Sequence, residues 1–321
     1  MTDFTPPGAS TNPDRAVLER LAFASLREQR AARRWGVFFK LSTLVIVVLL
    51  LMYLFGIGQR VEPTAEHTAM ISIEGDIDAG GSNSAEKIMA ALNNAFEADK
   101  AKAVVLRINS PGGSPVQAAM IVAEIRRLRE AHPDKPVYAV AEDLCASAAY
   151  YIAASADDIY VNGSSVVGSI GVIMSGFGAN ELIQKLGVER RVYTAGKNKD
   201  ILDPFKPVDD AQRAHIQTML DDVHAQFIAS VKEGRGERLH ETPDMFSGLF
   251  WTGRRAIELG LADNVGTVDS VARDVVKAED VVDYTMVDST LDRLSKRFGS
   301  EVGSAIGNVL LKSGSTIAPL R

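Results

Sequence analysis

The chain has a single cysteine, Cys145, among its 321 residues. One thiol closes no intrachain disulfide, and no Cys-x-x-Cys pair or Cys/His cluster has metal-ligand spacing, so neither a stapled scaffold nor a structural zinc is implied. No cofactor is expected either. Positive charge is also short: 35 Lys and Arg stand against 41 Asp and Glu, a net charge of −6. Neutralising phosphates needs a basic face, which is missing outside the N-terminus, and nucleic-acid binding is therefore excluded. Histidine is sparse, at His67, His132, His215, His224 and His240, which leaves none between Pro133 and Ala214. No internal repeat is visible. What the chain has in quantity is apolar residues, at 46%, ample for a large buried core.

Residues 1–13 are rich in turn formers and small polar groups and read as a loose tail. From Asp14 to Arg34 the apolar Val17, Leu18, Leu21, Ala24 and Leu26 recur near helical spacing among Arg20, Arg27, Arg30, Arg33 and Arg34, the pattern of a basic amphipathic helix at a membrane surface. Residues 1–36 are thus a cytoplasmic tail and helix. Leu41 to Gly58 carries no charge, and with Val37 to Phe39 the apolar span reaches the roughly 20 residues a bilayer requires. We expect a transmembrane anchor at 37–58 and a linker at 59–68. A cleaved signal peptide fits less well, because the run exceeds the usual h-region of about 7–15 residues. Arg27, Arg30, Arg33, Arg34 and Lys40 on one side, against Arg60 close on the other, put the N-terminus in the cytoplasm and the remaining chain outside it.

Beyond the linker, strands and helices alternate. Strands are predicted at 69–74, 103–108, 137–140, 158–161 and 190–193, and helices from Ser84 to Phe96, over 115–131, from Ser147 onward, over 209–232 and over 267–277. That order predicts an α/β domain over 69–280 with mostly parallel strands, its site at their carboxyl ends. Two loops fall there, Asn109 to Ser114 and Glu142 to Ser147. The helix from Asp209 carries Ile216, Met219, Leu220, Val223, Phe227 and Val231 on one face, for packing within the chain or against another copy. Residues 281–321 form an amphipathic tail with a weak stripe from Leu294 to Leu311.

Ser147 lies among small residues at a helix start, a setting that aims a hydroxyl and backbone N–H groups at one substrate atom. Close packing explains the same residues without chemistry. Cys145, two residues earlier, is a small buried hydrophobe unless a base lies nearby. With no histidine in the following loops, a lysine is the alternative base, and Lys197 and Lys199 both sit in a suitable loop. In Ser110-Pro-Gly-Gly113, the N–H of Gly112 or Gly113 can pair with that of Ala148 as an oxyanion hole.

Asn109-Ser-Pro-Gly-Gly-Ser114, Ala146-Ser-Ala-Ala-Tyr-Tyr-Ile-Ala153, Gly168-Ser-Ile-Gly-Val172, Gly196-Lys-Asn-Lys-Asp-Ile201 and the segment Gly253 to Asp263, in this order, resemble the signal peptide peptidase A family in its short, single-domain form. The resemblance spans about residues 66 to 280 and implies a Clp protease/crotonase-like α/β fold. It implies Ser147 as nucleophile, Lys199 as general base, Ser169 orienting the lysine, and Gly113 with Ala148 as oxyanion hole. Many relatives carry Ser-Gly-Gly-Tyr where this chain has Ser147-Ala-Ala-Tyr150. The resemblance further implies a ring-like or dome-like homo-oligomer in which Ser147 meets Lys199 of the same or of an adjacent copy, on the periplasmic side of a bacterial inner membrane. Its substrates would be hydrophobic peptides such as remnant signal peptides. Two other readings share the fold: an acyl-CoA hydratase or isomerase of the crotonase type, and a non-catalytic scaffold.

Overall fold

The computed structural model describes residues 13–54 and 64–286, and it divides into two compact units, Met1–Glu62 and Pro63–Arg321. The expected loose tail, the end of the anchor at 55–58 and the C-terminal stripe lie outside the described residues. In the first unit a single helix, α1 (Pro13–Leu54), runs unbroken. The basic segment and the apolar segment, expected as separate elements, are one helix: no proline follows Pro13 within it, and the one glycine, Gly36 at the junction, is spanned without a break. Trp35, Phe38 and Phe39 pack on one another, and the apolar side chains from Val37 to Leu50 are mostly exposed. Among the described residues no helix is both long and apolar enough to cross a membrane.

The second unit is built on a sheet. Its elements are β1 (His67–Glu74), α2 (Ala85–Glu97), β2 (Ala101–Ser110), α3 (Pro115–Ala131), β3 (Val137–Ala146), α4 (Ala148–Ala153), β4 (Asp158–Val161), β5 (Val166–Gly168), α5 (Asn180–Lys185), α6 (Asp210–Arg235), β6 (Phe250–Thr252), α7 (Gly253–Glu258), β7 (Asn264–Val265), a helical stretch from Val268 to Val276 whose second part is π-wound, and β8 (Val281–Asp283). The strand order is β6-β5-β3-β2-β1-β8, with β4 pairing β3 and β7. Among the described residues β5 and β6 run antiparallel and the other ladders are parallel. Parallel strands need crossovers, and α2 and α3 supply them with the apolar faces that carry Ile88, Leu92, Phe96 and Ile121, Ile125, Leu128 into the core.

Sequence-predicted α3 and β4 have the expected bounds, and two other expectations are corrected. Glu142 to Ser147 was expected as a loop, but β3 continues to Ala146. Its first half lies beside β4 and its second half beside β5, so one edge of β3 serves two strands. The passage is made by extra residues: Ile108 opposes Ala141 while Ser110 opposes Cys145, a bulge that β3 carries opposite β2. The strand expected at 190–193 forms no ladder, because no neighbouring strand lies alongside it to take its hydrogen bonds. In addition, Val281–Asp283, assigned to the tail by sequence, pairs with β1.

Candidate active site

The split of β3 brings the site together. Ala146, the last residue of β3, opposes Gly168, the last of β5. Ser147 and Ser169 each follow by one residue, so they leave adjacent strand ends, which lie about 5 Å apart in any sheet. The Ser147 N–H donates to the Gly168 carbonyl at 2.8 Å and the Ser169 N–H to the Leu249 carbonyl at 2.8 Å. Both serines have positive φ, 53° and 51°. A non-glycine residue is rarely held there, and such strain concentrates where a side chain must be presented in one direction. For Ser147 the tension is held by the ladder before it and by α4 after it, where Tyr150 and Ile152 are buried and the Tyr150 hydroxyl donates to the Leu261 carbonyl at 2.8 Å. This is a strand-to-helix turn with a half-buried serine at its apex.

The glycine loop between β2 and α3 closes against that apex. Ile77 donates to the Gly112 carbonyl at 2.9 Å and accepts from the Ser114 N–H at 2.8 Å, and the Ser110 hydroxyl accepts from the Gly112 N–H at 3.1 Å. The approach is so close that a Cβ on Gly112 (φ 106°) would lie 2.7 Å from Ser147 Cβ and 2.8 Å from the Ala148 nitrogen. At Gly113 (φ 147°) it would lie 2.2 Å from the Ile77 carbonyl oxygen. Glycine is required at both positions on space as well as conformation. The N–H groups of Gly113 and Ala148 have no acceptor among the described residues. Gly113, Ser147 and Ala148 line one small cleft of about 100 Å³ with Pro115, Tyr151, Gly171, Val172, Ile173, Val223 and Phe227.

The cleft has a nucleophile and two unused donors but no amine, imidazole or carboxylate in its walls. Lys199 is elsewhere. It is exposed and lines a different, shallow depression with Arg190, Val192, Thr194, Asp200 and Asp203. There Arg190 pairs with Asp203 at 3.0 Å and Lys206 pairs with Asp200, while the Lys199 amine has no ion-pair partner among the described residues. Lys197 faces the neighbouring hollow against the start of α6. The structure thus brings together Ser147, Ala148, Gly113 and the Ser169 backbone, and it leaves Lys199 apart. Cys145 is fully buried, and burial pushes its thiol up to about 12, so it is a packed hydrophobe and not a nucleophile. Sequence reasoning did not assign Tyr151, Val223 and Phe227 to the cleft. Tyr151 lies one helical turn after Ser147, and that spacing is the one signal that places it there.

A serine held at a strand-to-helix turn, with two converging free N–H groups, can hold the tetrahedral oxyanion of acyl transfer, and it does so here on a mostly parallel α/β sheet. The same class emerges from comparison with known proteins. The model of peptidase family S49 matches residues 129–282 and that of Clp protease matches residues 63–162. A provisionally named protease of Methanocaldococcus jannaschii is 32% identical over 225 residues, covering 68% of this chain and 71% of the relative. A provisionally named signal peptide peptidase SppA of Enterococcus faecium is 29% identical over 248 residues, covering 73% and 72%. A Brucella abortus protein named as the Na(+)/H(+) antiporter NhaA is 43% identical over 222 residues, covering 68% of this chain but 30% of the relative. This chain therefore spans under a third of that protein's length. The chain belongs to peptidase family S49, the signal peptide peptidase A family.

Proposed function

We propose that this chain is a membrane-anchored serine endopeptidase whose base comes from a second copy of itself. Ser147 Oγ attacks the scissile carbonyl and Lys199 Nζ of the second copy takes the hydroxyl proton. The N–H groups of Gly113 and Ala148 hold the oxyanion, and collapse of the intermediate expels the amine, which receives the proton from Lys199. Water, deprotonated by the same lysine, then hydrolyses the acyl-serine ester. The Ser169 hydroxyl, one residue past the partner of Ala146, orients the amine. The observation that carries the reading is Ser147 itself, at φ 53° beside two N–H groups without acceptors. A base from another copy is supported by a cleft without one and by a lysine that has no ion-pair partner among the described residues, on an exposed segment.

The uncharged run from Leu41 to Gly58 supports an anchor at 37–58, and the arginines before it support a cytoplasmic N-terminus with the sheet unit outside. Substrates on this reading are hydrophobic peptides, including remnant signal peptides. Ser147→Ala and Lys199→Ala should each lower kcat at least about 10⁴-fold with unchanged circular dichroism. Mixing the two inactive variants should restore about a quarter of wild-type activity, since about one site in four then combines an intact serine with an intact lysine. Full activity in either variant sinks the assignment; an inert mixture that still assembles sinks the shared dyad.

A further inference from the structure

The two glycines of the loop beside Ser147 carry two backbone donors, and one of them is already used. The Gly112 N–H is taken by the Ser110 hydroxyl at 3.1 Å, so the Gly113 N–H is the one left to face an oxyanion. Two adjacent glycines can turn the peptide between them either way, and a turned peptide would present the Gly112 carbonyl to the oxyanion in place of a donor. A group outside the loop has to set that plane. In a trans peptide the C=O and the N–H point in opposite directions. The Ile77 N–H holds the Gly112 carbonyl at 2.9 Å and thereby aims the Gly113 N–H the other way, away from Ile77.

The same logic runs one peptide further. The Ile77 N–H shares its plane with the Asp76 carbonyl, and that carbonyl accepts from Asn83 Nδ2 at 3.2 Å. The same nitrogen donates to the Glu74 carbonyl at 2.5 Å, so both of its N–H groups are used. Glu74, Gly75 and Asp76 are exposed, whereas Asn83, two residues before α2, is 4% exposed. A buried amide thus pins an exposed run of backbone. Its own place is secured between α2 and α3, where the Ala85 N–H donates to Gln117 Oε1 at 2.7 Å and the Gln117 N–H to the Ser114 hydroxyl at 3.4 Å. We infer that Asn83 is a positioning residue for the oxyanion hole, acting through a relay of donors that runs from its side-chain amide across the Asp76–Ile77 peptide to the Gly112–Gly113 peptide. Each unit accepts on one side and donates on the other, so the bonds polarise one another toward the Gly113 N–H. The inference rests on Ser147 being the nucleophile.

The test uses the full chain in detergent and a hydrophobic peptide that the wild type cleaves. Asn83→Ala removes both side-chain bonds, and kcat should fall about 10²-fold with KM unchanged, because the donor it misaims acts in the transition state. Inhibition by a peptide aldehyde of the same sequence, whose adduct with Ser147 places an oxygen at the same donors, should weaken by about the same factor. Asn83→Ser, which keeps one donor, should show smaller losses of both, and it carries the test if circular dichroism shows Asn83→Ala unfolded. Thr68→Val is the control. It removes another buried side-chain bond, 2.7 Å to the Ala278 carbonyl at the far end of β1, and should lower stability while kcat and aldehyde inhibition stay as in wild type. An unchanged kcat in the Asn83 variant, a fall in kcat without weaker aldehyde inhibition, or an equal fall in Thr68→Val overturns the relay while Ser147-dependent cleavage persists. Cleavage that survives Ser147→Ala overturns the nucleophile and this inference with it.

Discussion

The two halves of the proposed dyad sit in regions that differ in kind. Ser147 is fixed from every side, by the β3 ladder before it, buried α4 after it, β5 beside it and the glycine loop over it. Lys199 lies in a stretch, residues 171–226, in which no residue is buried. That stretch is not polar: Ile173, Phe177 and Tyr193 are 87%, 93% and 92% exposed, and Leu186, Leu202 and Val208 are exposed with them. Exposed apolar side chains in such number are what a contact surface presents. α6 crosses the divide. Its Phe227 and Val231 are buried in the core, while Met219, two turns earlier, is exposed. The difference teaches that the fold around Ser147 is set by burial within the chain, whereas the surroundings of Lys199 are not; a base supplied by a second copy is the proposal that this contrast supports.

The largest break of that comparison is made on the rigid side. Gly112→Ala puts a methyl group against Ser147 Cβ and the Ala148 nitrogen, which displaces an oxyanion donor. We expect kcat to fall by about 10²–10³-fold, the cost of losing one such donor. Stopped or steady-state kinetics on a hydrophobic peptide measure it, and an unchanged kcat would separate the glycine loop from the chemistry.

Next in size is the buried ion pair at the end of α6. Arg235, 1% exposed, donates to both oxygens of Asp263 at 2.9 and 2.7 Å, and Arg238 adds a contact at 3.4 Å. Asp263→Asn leaves a buried guanidinium without its counter-charge and should cost about 3–5 kcal/mol of unfolding free energy. Burial raises the Asp263 carboxyl, but Arg235, the Ile159 N–H and Arg238 together hold it below its ordinary value. A carboxyl depressed in the folded state stabilises above its unfolded pKa, and that contribution is lost as pH falls through the folded value. Urea unfolding of the wild type should therefore weaken on acidification through the carboxylate range, and Asp263→Asn should lack that component. Equal acid sensitivity of the two proteins would contradict the assignment.

On the exposed side the expected effects are inverted. Phe177→Ser and Tyr193→Ser remove apolar groups that none of the described residues covers, so unfolding free energy should stay within about 0.5 kcal/mol. Sedimentation should show smaller assemblies and peptide cleavage should fall with them. Intact assemblies in both variants would show that residues 171–226 serve another contact.

This contrast also explains what was legible in the sequence. The alternation of apolar runs and amphipathic stretches gave the sheet unit its order, and α3 and β4 their bounds, because burial inside one chain writes a period into that chain. The continuation of β3 past Glu142 was hidden, since two acidic residues in a bulge look like a turn. Arg190 to Tyr193 reads as a strand by propensity, yet a strand exists only where a neighbour takes its hydrogen bonds. Ser147 and Gly113 are recognisable as motifs. Their adjacency to Ser169 depends on the register Ala146 to Gly168, and the cleft depends on α6 returning from far along the chain with Val223 and Phe227. Neither is a local property.

The smallest expected effect concerns the second nucleophile within reach of the turn. Cys145 lies on β3 two residues before Ser147 and is fully buried in the core. Burial, with no base beside it, holds its thiol at about 12, so at neutral pH the thiolate that would attack or be alkylated is almost absent. Cys145→Ala should then keep peptidase activity and lose only the packing of one sulfur, about 1 kcal/mol. Iodoacetamide should label the wild type only after denaturation. Rapid labelling of the native protein, or loss of activity in Cys145→Ala without loss of folding, would move the chemistry from the hydroxyl at the apex of the turn to the thiol beneath it.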